Sequence, residues 1–141
     1  MINDISANKY INVLECNQKY KKMSNEEINK LCNGCGSGWN VDLVPDKILI
    51  DFSICCNIHD LDYSFAKDRK KSDKRLKNNM ERLAEHIYIK ETKKLTWFKL
   101  SNWDDILKAR AKRRAIYILA NIYYKFVHEF GQSAWNKGHK I

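Results

Sequence analysis

The sequence has a single proline and five glycines in 141 residues. Turn-makers this scarce argue against a many-stranded sandwich and for helices. No window reaches the roughly 18 apolar residues that a membrane span needs. The opening MINDISANKYINVLEC has no basic stretch followed by an apolar run, so no secretory signal is expected. Such a chain is expected to be made in the cytoplasm and to meet a membrane only from outside, by lysis or inside a particle. Five cysteines is an odd number, so at least one stays unpaired in a monomer.

A hydrophobic content of 44% is ordinary for a globular protein and argues against disorder. The length predicts one domain, 1–141, with one core. Lys and Arg exceed Asp and Glu by nine, a balance that attracts anions, either nucleic acid or acidic headgroups.

The spacing of Ile5, Tyr10, Val13 and Leu14 predicts a helix over 4–20. Ser24 followed by Glu27 reads as a capping box that starts a helix running to Leu31. NGCGSGWN then places three glycines within five positions, a loop with unusual backbone freedom. A helix is expected over 44–67, with Pro45 and Asp46 in its first turn and Ile48, Phe52, Cys55, Cys56, His59 and Tyr63 on one face. After the basic turn DRKK, a helix over 72–90 carries Leu76, Met80, Leu83 and Ile87 inward, antiparallel to its predecessor. ETKKLTWFKLSNW reads as a strand or a loop. A last long helix, over 104–130 and capped by Ser101 or Asn102, turns Ile106, Leu107, Ile116, Leu119, Ile122, Tyr123 and Phe126 to the core.

Asp73 falls on the oily stripe of its helix, three residues before Leu76. It is either a first-turn dipole residue or a buried charge, and a buried charge needs a partner. His59 on the neighbouring helix can be that partner. A His–Asp pair fixes the tautomer of the ring and stabilises the imidazolium formed when the ring takes a proton. Tyr63, one turn on, can bond the same carboxylate. No serine nucleophile stands beside the pair, so His59 as general base would act on water. Asp60 points about 100° away from His59 around the helix and can hold a hard cation, with carbonyls of the glycine loop as further oxygen ligands.

CNGCGSG, CCNIHDLDY and SDKRLKNNM together resemble the secreted-type, calcium-dependent phospholipases A2. That family has a glycine-rich calcium loop, a C-C-x-x-H-D-x-x-Y helix and a second helix opening with C-D. The resemblance covers about residues 32–80 and leaves 91–141 as a C-terminal helical extension. It implies a mainly α fold of two antiparallel catalytic helices beside a calcium loop. It implies His59 as general base, Asp73 as its orienting carboxylate and Tyr63 bonded to that carboxylate. Ca2+ would be held by Asp60 and the carbonyls of Gly34, Gly36 and Gly38, with the Gly36 N–H at the oxyanion. Cys35 and Cys56 would form a disulfide, and the reaction would be hydrolysis of the sn-2 acyl ester of a phospholipid. The sequence also departs from the pattern. Ser72 stands where the family's second helix opens with cysteine. Asn79 replaces another cysteine, so Cys55 is either free or paired with Cys16 or Cys32. Trp39 interrupts the loop, and only ten residues separate Tyr63 from Asp73, as in compact microbial or viral members.

Two other readings use the same residues. Cys32, Cys35, Cys56 and His59 have spacings that suit a Cys3His zinc site, which on so basic a chain implies a nucleic-acid-binding module. A membrane binder without activity would have no need of a base. KARAKRR, 108–114, is either a solvated face or a docking patch for an anionic phospholipid surface, helped by Trp97, Phe98 or Trp103; the same patch also suits nucleic acid.

Overall fold

The structure, a computed structural model, describes residues 5–32, 49–95, 99 and 102–140. Every regular element among them is helical. A short 3-10 turn, Tyr20–Lys22, leads to α1 (Asn25–Leu31), α2 (Ser53–Phe65), α3 (Arg69–Thr92), α4 (Trp103–Phe130) and α5 (Gln132–Gly138). The fold is therefore mainly α, as the shortage of glycine and proline predicts.

α2 is buried on nearly every side. Phe52, Ile54, Cys55, Cys56, Ile58 and Leu61 all lie in the core. α3 runs back along it, and the partners pair in reverse order, Asp62 with Arg75 and Tyr63 with Asp73. The inner stripe of α3 is the expected one: Leu76, Met80 and Leu83 are buried and Ile87 packs against them. α4 then runs antiparallel to α3. Lys112 pairs with Glu91, Tyr117 with Glu85, and Arg69 with the carbonyl of His128. α5 folds back over the end of α2.

The capping box of α1 is present, with Ser24 Oγ accepting from the Glu27 N–H and the Glu27 carboxylate accepting from the Ser24 N–H. Other boundaries differ from expectation. The segment 5–16 is a series of turns rather than a helix. Asn8 Oδ1 accepts from the Tyr10 N–H and Asn17 Oδ1 from the Lys19 N–H. Such local side-chain bonds compete with helical ones, while Ile5, Ile11 and Leu14 are still buried. α2 begins at Ser53, where Asp51 Oδ1 takes the Ser53 N–H; Pro45 and Asp46 lie outside the described residues. α3 begins three residues early, because Asp68 caps it by accepting from the Lys71 N–H. Leu107 and Ile122 on α4 are exposed instead of buried. The helix expected over 104–130 is present as α4, and a further short helix, α5, follows it beyond Gly131.

Candidate active site

α2 and α3 bring the sequence-predicted triad together. His59 Nε2 lies 3.0 Å from Asp73 Oδ1, and the Tyr63 hydroxyl donates to the same oxygen at 2.6 Å. Asp73 is fully buried and His59 nearly so. Spacing alone explains why they meet. His59 and Tyr63 are one turn apart on α2, and Asp73 is in the second turn of its antiparallel neighbour. A carboxylate only accepts, so Nε2 carries the ring proton and Nδ1 is the nitrogen with a lone pair. Burial, followed by the bond to Asp73, pushes the Tyr63 phenol well above its ordinary range. Tyr63 therefore stays a donor at neutral pH.

The second oxygen of Asp73 faces the C-terminal helices. Arg69 Nη1 lies 3.4 Å from Oδ2 and also donates to the carbonyls of Val127 and His128, each at 3.1 Å. His128 Nδ1 is 3.9 Å from Oδ2, buried, and without a hydrogen-bond partner among the described residues. Behind Tyr63, Trp135 sets its ring edge to face at 5.3 Å. Two glycines allow this closeness. A Cβ on Gly131 would collide with the Tyr63 hydroxyl, and one on Gly138 with the Tyr63 carbonyl oxygen. His139 Nε2, 2.8 Å from the Ala66 carbonyl, fastens the end of α5 just beyond α2. None of this C-terminal wall was foreseen. Arg69 left one readable signal, its position four residues before Asp73 on one helix. His128 and Trp135 left none, because they are distant in sequence.

A second buried carboxylate sits one turn from His59. Asp62 accepts two bonds from Arg75 Nη1, at 2.8 and 2.7 Å, and a third from the Tyr20 hydroxyl at 2.9 Å. Burial pushes its carboxyl up, against the opposing pull of Arg75. Arg75 also reaches Glu15, so the cluster ties the N-terminal turns to both helices.

Asp60 is half-buried beside His59. Gly34, Cys35, Gly36, Gly38 and Trp39 lie outside the described residues. Among the described residues no group of three or more His, Cys, Asp or Glu side chains could hold a metal; the expected calcium shell asks only Asp60 of that set. Cys16, Cys32 and Cys55 are free thiols, whereas Cys56 is not. Burial, with the Asp60 charge adding, pushes the Cys32 thiol up to about 12, and its Sγ donates to the Asn57 carbonyl. Asn79 clips the N-terminal segment to α3. Its amide accepts from the Glu15 N–H and donates to the Glu15 carbonyl.

The basic run 108–114 divides into two halves. Lys112 and Arg113 turn inward to Glu91 and Glu85, and Arg113 lies over the Tyr88 ring. Lys108, Arg110 and Arg114 are exposed. Trp97 and Phe98 lie outside the described residues. No helix among the described residues is long and apolar enough to cross a membrane.

No protein-family model, curated protein or solved structure matches this chain.

Proposed function

We propose that the protein is a calcium-dependent phospholipase A2 that hydrolyses the sn-2 acyl ester of phospholipids. The observation that carries this reading is the shared Asp73 oxygen, 3.0 Å from His59 Nε2 and 2.6 Å from the Tyr63 hydroxyl. With Nε2 held there, Nδ1 of His59 takes the proton from the attacking water, and Asp73 stabilises the imidazolium that results. Asp60 and the carbonyls of Gly34, Gly36 and Gly38 would make an all-oxygen donor set, which suits Ca2+. Bound calcium would supply positive charge to the developing oxyanion, beside the Gly36 N–H. A Cys35–Cys56 disulfide would tie this loop to α2.

The zinc reading has less support. It leaves Asp60 without a role. It also leaves Asp73 and Tyr63 without a role.

An anionic phospholipid surface is the partner that suits the outer side of α4. Trp103, Leu107, Ile118 and Ile122 are exposed there at helical spacing, among Arg110, Arg114 and Lys125. Activity is expected to be higher on anionic than on neutral vesicles, with the difference shrinking as salt rises. Equal rates at low salt remove this partner.

The test of the reaction is release of labelled sn-2 fatty acid with millimolar calcium and with chelator. Release that chelator stops is expected; no release with calcium rejects the enzyme.

A further inference from the structure

Asp73 has two oxygens, and the dyad uses one. His59 and Tyr63 both lie on Oδ1, and Oδ2 is turned toward α4. A fully buried carboxylate rotates about its last side-chain torsion unless both oxygens are held, because that torsion is soft. Arg69 supplies the hold. Its Nη1 reaches Oδ2 at 3.4 Å and the carbonyls of Val127 and His128 at 3.1 Å. Those carbonyls belong to the last turn of α4, the negative end of its dipole, where a cation is favoured. The Arg69 side chain is 16% exposed, so water screens this charge little.

We propose that Arg69 is a positioning residue for the dyad, locking the second oxygen of Asp73 to the C-terminal end of α4. The C-terminal helices are then part of the active site. This rests on the hydrolase reading for its kinetic consequence, not for its geometry. A neutral buried pair, Asp73 with Arg69, also fixes what His59 meets when it takes a proton: a carboxylate in a set orientation, already bonded on its far side. α5 works in the same sense on Tyr63, whose hydroxyl and carbonyl oxygens are closed in by Gly131 and Gly138. The second imidazole, His128, faces the same oxygen from α4 at 3.9 Å. It is too far to replace Arg69, since a side-chain hydrogen bond needs a shorter approach.

The experiment compares the wild type with Arg69→Gln and Arg69→Lys by sn-2 fatty-acid release with calcium. In parallel, proton NMR follows the far-downfield ring N–H resonance of His59, assigned by its loss in Asp73→Asn. Arg69→Gln is expected to lower kcat roughly 10- to 100-fold, leave KM little changed, and move the resonance. Arg69→Lys is expected to restore part of both, because it keeps the charge on a shorter, less forked head. Folded Arg69→Gln with wild-type kcat and an unmoved resonance overturns the assignment. If Arg69→Gln does not fold, Arg69→Lys decides: an intermediate kcat and resonance support the proposal, and wild-type values for both overturn it. If the wild type releases no fatty acid, the hydrolase reading fails on its own. The resonance then decides the positioning role, supporting it if moved in Arg69→Gln and overturning it if not.

Discussion

Asp73 and Asp62 are both fully buried where α2 meets α3, yet their surroundings are opposite in kind. Asp62 is saturated by two short bonds from Arg75 and one from Tyr20. No partner of that carboxylate changes charge near neutral pH, so the cluster is a fixed structural tie. Asp73 gives one oxygen to an imidazole and a phenol, and its nearest cation, Arg69, stands farther off at 3.4 Å and is shared with two carbonyls. Its charge is directed at an imidazole, a ring that can take up a proton, and a second imidazole, His128, stands 3.9 Å from its other oxygen. Two aspartates equally hidden from solvent thus differ in whether the partner can titrate, and that difference, more than burial, marks the candidate site.

The comparison can be broken by removing each partner in turn. His59→Ala is expected to lose about 10²–10⁴-fold in fatty-acid release per folded molecule, beside a loss of about 1–3 kcal/mol in stability from the bond taken from buried Asp73. An activity close to wild type puts the base elsewhere. Arg75→Met acts on the other pair and leaves Asp62 buried without its counter-charge. A loss of about 3–5 kcal/mol in chemical denaturation is expected, with activity per folded molecule kept. A smaller effect is expected at Asn79, whose amide makes both bonds to the Glu15 backbone. Asn79→Ala should destabilise by about 1–3 kcal/mol, and an unchanged midpoint would show that the N-terminal turns do not need this clip.

The smallest effect sharpens the contrast through pH. Burial raises the Asp62 carboxyl above its ordinary 3.8, so the folded chain holds that proton more tightly than the unfolded chain. Between 3.8 and the higher folded value, folding takes up a proton, and the Asp62 contribution to stability falls as pH rises. Relative to Asp62→Asn, the wild type should lose stability over that window. A gain would mean that Arg75 outweighs burial.

What could be read in advance follows from how far each interaction reaches. His59, Tyr63 and Asp73 were legible because helical spacing on two adjacent helices suffices to place them. The capping box at Ser24 is equally local. The helix expected over 4–20 failed because apolar spacing ignores Asn8 and Asn17, whose side chains bond the nearby backbone instead. Leu107 and Ile122 were assigned to the core on hydrophobicity alone, and α4 turns them outward. Arg69 was signalled by its place four residues before Asp73 on α3, but His128 and Trp135 join the site only through the return of α4 and α5, a tertiary event without a short-range signal. Gly131 was the exception, since a glycine after a long helix is an available sign of its end.

The most direct test of the contrast between the two carboxylates is fatty-acid release per folded molecule, with calcium, for Asp73→Asn and Asp62→Asn side by side. The expected result is a folded, nearly inactive Asp73→Asn and a destabilised Asp62→Asn whose folded fraction turns over as the wild type does. Equal activity in the two variants, or the reverse order, contradicts the account.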